Sequence, residues 1–371
     1  MLNEHNDFDE PVQQLVSYIA LGAPATRRPA FENLPYLRPE IGFTPKWFHN
    51  ALNIDFGEKW HTDLKYRKQS VLQMRDEIGR RFPGNKIGII DEEKSIDLLT
   101  GLNGACTIAS IYGVPIRYES DKWPVSEHFH MSEDEISKLG PPDLRQNEFF
   151  QYLLTQVDSI KESEGKVVGF INWQGVLNNA QRMRGQELFM DMYTNPEAAR
   201  NLFKCVTETM IEAAKCLQEM QAESGFLYSF FTVSNCLVNM LSPELYKEFI
   251  LPFDNQIATS FSSIGIHNCA WNANPYLKDY ASVPKVAYID MGMESDLEKA
   301  RALFPKTRRA IMYTPMDVVN KSLLELKSDM DHIAAKYGPC DIVAADIEDG
   351  TPDNKVQELI YLCEDISNQY I

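Results

Sequence analysis

Residues 262–269 read SSIGIHNC: a short apolar run rich in β-branched residues that ends in a histidine and a cysteine two positions apart. Five further runs share this form: KVVGFINW (166–173), GFLYSFF (225–231), KVAYIDMG (285–292), RRAIMYTP (308–315) and CDIVAADIE (340–348). Each is four to eight residues of strand-forming character that closes on polar side chains. Helical stretches separate them. Asn195 with Pro196, and Ser242 with Pro243, supply a capping residue followed by proline at the first helical position. Near-continuous apolar strands joined by helical crossovers predict a parallel sheet covered on both faces. With a further strand expected in GNKIGIIDE (84–92), the fold class is α/β, a (β/α)8 TIM barrel; a doubly wound open sheet is the alternative.

Residues 1–80 are rich in proline and aromatics and have no clean period, so they are expected to form an N-terminal extension packing on a barrel domain of residues 81–371. KYRKQSVLQMRDEIGRRF (65–82) is the exception, a helix with Val71, Met74, Ile78 and Phe82 on one face.

Composition narrows the function classes. The 371 residues are 44% hydrophobic and 24% charged, with no apolar run of membrane-spanning length. A net charge of −17 repels phosphate backbones and argues against nucleic acid as a partner. The acidic start, MLNEHNDFDEPVQQLV, has neither the basic segment nor the apolar core of a signal peptide, so the expected location is the cytoplasm. Seven scattered cysteines, odd in number, read as reduced thiols and mostly as core filler.

In a barrel of this kind, chemistry gathers at the C-terminal ends of the strands. The polar strand ends found there are Asn172, Trp173 and Gln174; Thr232, Ser234 and Asn235; His267 and Cys269; Asp290; Tyr313 and Thr314; and Asp346 and Glu348, with Phe231 among the aromatics near the mouth. On an extended strand His267 and Cys269 point to the same side. Imidazole and thiolate are both zinc ligands, and a catalytic zinc takes three protein ligands and keeps one position open. Asp290, Asp346 and Glu348 compete for the third place, whereas Cys340 precedes its strand and falls at the opposite end of the barrel. The bland alternative is a structural histidine beside a buried thiol. Asn172, Gln174 and Asn235 are candidates for hydrogen bonds to a substrate, Trp173 and Phe231 for an apolar pocket, and Tyr313 for proton donation. His128 and His130 have no companion ligand and read as surface.

Four segments carry a resemblance to the uroporphyrinogen decarboxylase superfamily, and within it to zinc-dependent methyltransferases that work with corrinoid proteins. These are LNNAQRMRGQELFMDMYTNPEAARNLFKCVT (177–207), MLSPELYKEFILPFDNQI (240–257), IHNCAWNANPYLKDY (266–280) and GTPDNKVQELI (350–360). The resemblance implies that His267 and Cys269 bind zinc. The family's third ligand, a cysteine on the last strand, has no counterpart in AADIED (344–349), which leaves Asp346 or Glu348, while Asp290 falls near the position of a zinc-binding glutamate in more distant relatives. An oxygen-richer zinc of that kind suits an oxygen substrate. The implied activity is demethylation of a methyl donor, a phenyl methyl ether above all, with the methyl passing to Co(I) of a corrinoid on a partner protein. Transfer from a methylated corrinoid to a thiol is the alternative, followed by porphyrinogen decarboxylation or a non-catalytic scaffold. Against decarboxylation, the arginine-rich motif of the decarboxylases is matched only by TRRPAF (26–31). A homodimer is compatible with the resemblance.

Overall fold

The computed structural model describes residues 35–83, 96–227 and 229–370. Six parallel strands form the central sheet: β1 (Leu37–Phe43), β4 (Phe230–Ser234), β5 (Ser263–His267), β6 (Val286–Met291), β7 (Arg308–Met312) and β8 (Cys340–Ile347); β2 (Ile116–Arg117) and β3 (Val125–Ser126) make a separate hairpin. Strand order is β1-β8-β7-β6-β5-β4, so the first strand pairs with the last and the sheet curls toward closure. Helices cover its outer face. This is the expected α/β architecture, TIM-barrel-like. The strand expected in residues 84–92 and the TRRPAF segment lie outside the described residues, and residues 166–173 are not part of the ladder.

The barrel begins earlier than residue 81. β1 lies inside the stretch expected to be an extension, and six of its seven residues pair with β8 from Leu37↔Cys340 onward, with a register shift between Ile41 and Phe43.

Side-chain alternation divides the protein into two apolar clusters. Outward residues such as Phe231, Val233, Ile264, Ile266, Ile289, Ile311 and Ile342 join the helices in the large outer core. Inward residues Phe170, Phe230, Tyr288, Ala310 and Val343 fill the middle of the lumen. Gly265 faces inward among them: a Cβ there would come within 2.9 Å of both the Phe230 ring and Thr232 Oγ1, so glycine is what lets the phenylalanine lie across β5. At the bottom, Arg38 donates from Nε to Asp341 at 2.8 Å and pairs with Glu40 at 2.9 Å, while Arg308 bonds Asp341 from the next strand. These charges plug the lower end and leave the upper end for chemistry. Among the described residues no helix is long and apolar enough to cross a membrane.

Candidate metal centre

Three side chains converge at the C-terminal mouth. Cys269 Sγ lies 3.0 Å from Cys236 Sγ and 3.2 Å from His267 Nε2, and the three ligand atoms are all within 4.8 Å of one another. Among the described residues this is the one cluster of three or more histidine, cysteine or acidic side chains placed to hold a metal.

The local sequence explains the convergence. Ser234, the last residue of β4, pairs with His267, the last of β5, and the Asn235 N–H donates to the His267 carbonyl at 2.7 Å. Two residues past each strand end stand Cys236 and Cys269. Cys269 has φ of +58°, a left-handed turn that L side chains adopt at a cost, and this turn rather than a continued strand brings its sulfur back beside the imidazole. Gly292 lets the two loops meet, because a Cβ there would stand 2.1 Å from the Ala270 carbonyl oxygen.

The β4 end is braced from behind. Asn235 is fully buried and donates from Nδ2 to Asp254 Oδ2 at 2.9 Å; Tyr246 donates to the same oxygen at 2.8 Å. Tyr246 and Asp254 both belong to the SPELYKEFILPFD segment, in which Ser242 caps the helix start through the Leu245 N–H and a π-turn spans Tyr246–Ile250. That segment therefore buttresses the residue preceding Cys236.

Asp290 occupies the far side of the imidazole. Its Oδ2 lies 2.6 Å from His267 Nδ1 and accepts from the Tyr288 hydroxyl at 2.8 Å, while Oδ1 accepts the Asn268 N–H at 2.7 Å. With both oxygens committed away from the sulfurs, Asp290 orients His267 and leaves Nε2 facing them; a carboxylate on the distal nitrogen is the usual support of a metal-bound histidine. Asp290→Asn is expected to keep the fold and to weaken zinc binding about 10- to 100-fold, measured by competition with a chromophoric chelator; an unchanged affinity would remove this role.

The electrostatics suit a cation. A hydrogen bond from the Cys269 thiol, with help from His267, holds Cys236 well below the usual thiol range despite its burial. The same contact and burial push Cys269 up. Burial pulls His267 down, but Asp290 and the two cysteines outweigh it and hold the imidazolium raised. One thiolate is thus prepared, and a metal would displace the remaining protons.

The donor set fits zinc. Two sulfurs and one imidazole nitrogen form a known catalytic ligand set, and the sulfurs need to spread by less than about 1 Å to reach the roughly 3.8 Å edge of a tetrahedral zinc–thiolate site.

Other expected site residues fall in several places. Asp346, the second-to-last residue of β8, has φ of +60° and opens to solvent at the rim, where surrounding protein and then Glu348 raise its carboxyl to about 6 against the pull of His267. Glu348 is exposed beyond it. Neither belongs to the three-residue cluster. Tyr313 points outward, and its hydroxyl donates to Asp329 at 2.6 Å in the helical layer. It is remote from the lumen because it shares the parity of Arg309 and Ile311. Phe231 also faces outward, 5.0 Å from the Phe261 ring, and Trp173 packs in the outer core. Asn172 accepts from the Gln174 N–H at 3.0 Å and from its side chain at 3.1 Å, and Gln174 in turn accepts from Asn178 at 2.9 Å. These amides build the wall beside β4. Cys236, which sequence reasoning placed with the core thiols, is the member of this cluster it missed.

A family model described as uroporphyrinogen decarboxylase (URO-D) matches residues 92–320. The chain belongs to this family. Its fold is shared with a methyltransferase from Methanosarcina mazei, at a TM-score of 0.62 and 14% identity over 91% of this chain and 95% of that one. No curated protein matches the sequence.

Proposed function

We propose that the chain is a zinc-dependent methyltransferase that takes a methyl group from a small methylated donor, a phenyl methyl ether first, and delivers it to Co(I) of a corrinoid carried by a separate protein docked over the mouth. The observation that carries this reading is the Cys236–His267–Cys269 cluster at the open end of a URO-D-family barrel, with His267 Nε2 turned to the sulfurs by Asp290. A bound zinc supplies Lewis acidity to the heteroatom that bears the methyl group. The protein's own residues do the rest. The braced strand ends fix the three donors, and Asp346, with its carboxyl raised to about 6, is a proton source at the rim. An alkoxide or phenoxide leaving group needs such a proton near neutral pH and a thiolate does not, which favours the ether.

The donor set has a second consequence. Cys236 makes the site sulfur-rich, so the preference for oxygen that an extra carboxylate ligand implied no longer holds, and transfer from a methylated corrinoid to a thiol stands as the second reading. Zinc-loaded protein mixed with Co(I) cobalamin and methoxyaromatic donors is expected to convert Co(I) to methyl-Co(III), followed by absorbance. Consumption of methyl-Co(III) in the presence of thiols instead would establish the second reading, and no reaction in either direction would reject both.

A further inference from the structure

Resting on the methyltransferase reading, we propose that Arg182 selects a methyl donor that carries a carboxylate. The helix Val176–Arg184 starts beside the metal centre: a Cβ on Gly175 would stand 2.2 Å from the Ser234 carbonyl oxygen, and Asn178 Oδ1 accepts the Leu237 N–H at 3.4 Å, one residue past Cys236. Arg182 is one turn further on the same face. Helical side chains lean toward their own N-terminus, which here is the mouth. The guanidinium donates from Nη1 to the Ala105 carbonyl at 2.8 Å and is within electrostatic reach of Cys106 first and of Cys236 second.

Charge accounting supplies the second observation. Among the described residues Arg182 has no carboxylate partner, and its Nε and Nη2 have no acceptor, although the chain carries 53 acidic residues. Two thiolates neutralise one Zn2+ and Asp290 is taken up by His267, so in the loaded site no carboxylate among the described residues is committed to Arg182. Its unbonded Nε and Nη2 are not among the buried atoms and so are open to a ligand, and the planar fork matches a carboxylate. A ring or chain with its methyl-bearing atom at the zinc and a carboxylate on Arg182 satisfies both sites at once.

Calorimetric titration of zinc-loaded full-length protein with 4-methoxybenzoate and its neutral isostere 4-methoxybenzamide tests this. The acid is expected to bind about ten-fold or more tightly, the scale of a charge-assisted pair. Arg182→Gln should abolish the preference, and Arg182→Lys should keep part of it, with zinc content unchanged in both. Equal affinities in the wild type, no binding of the acid, or a preference that survives in Arg182→Gln would overturn the proposal. The binding preference is read without turnover, so a failure to methylate Co(I) counts against the methyltransferase reading alone.

Discussion

Cys236→Ala is expected to lose stoichiometric zinc and, with it, methyl transfer, while Cys340→Ala keeps both. Cys236 contributes one of three protein donors, and it is the thiol that the neighbouring Cys269 hydrogen bond and His267 hold nearest to thiolate. Removing it leaves two donors and no charge-prepared sulfur. The loss in affinity should exceed the roughly 10- to 100-fold that an outer partner such as Asp290 commands. Cys340 is a useful control because it is also a buried thiol, but it opens β8 at the other end of the barrel, where burial pushes it up to about 12. Metal analysis of the three proteins after dialysis decides the matter. Zinc held at wild-type affinity by Cys236→Ala would move the centre elsewhere, and Asp346 would then be the first residue to test.

The sequence made part of this site legible. His267 and Cys269 stood out because an apolar run ended on two good ligands. Cys236 did not, because a lone thiol 31 positions upstream of His267 resembles any other core cysteine until the strands are paired. Pairing them in register supplies the missing signal: Ser234 opposes His267, so the residues two steps on, Cys236 and Cys269, are opposed as well. Tyr313 and Phe231 went astray for a related reason. Both were chosen for standing near a strand end, but the period of two that separates lumen from outer core turns them outward with Ile311 and Val233. β1 was hidden by its own composition, since Arg38, Pro39 and Glu40 look like loop. Their charges are inside because Asp341 and Arg308 meet them at the barrel floor.

Acid is expected to destabilise the fold through His61, by about 2 kcal/mol at pH 5 relative to pH 8. His61 is 1% exposed, and its Nδ1 accepts the Asn103 N–H at 3.0 Å, so the folded state requires a neutral ring. Burial, and then the charge of Arg67, lowers its pKa to about 3 from an ordinary 6.5. A depressed folded pKa means that the unfolded chain takes up the proton first. The stability this histidine contributes is therefore fully present above pH 6.5 and drains away as pH falls from 6.5 toward 3. Asp97 and Asp254 work in the opposite sense, because burial raises both to about 6 and the folded state binds their protons first. The wild-type curve alone thus mixes opposing slopes, and His61 is visible as a difference. Urea unfolding of wild type and His61→Gln at pH 8 and pH 5 isolates it: the variant, whose amide oxygen can accept from Asn103 at any pH, is less stable at pH 8 and recovers about 2 kcal/mol of that deficit at pH 5. Parallel curves would show that His61 is protonated in the folded protein, and that the Asn103 N–H has another partner.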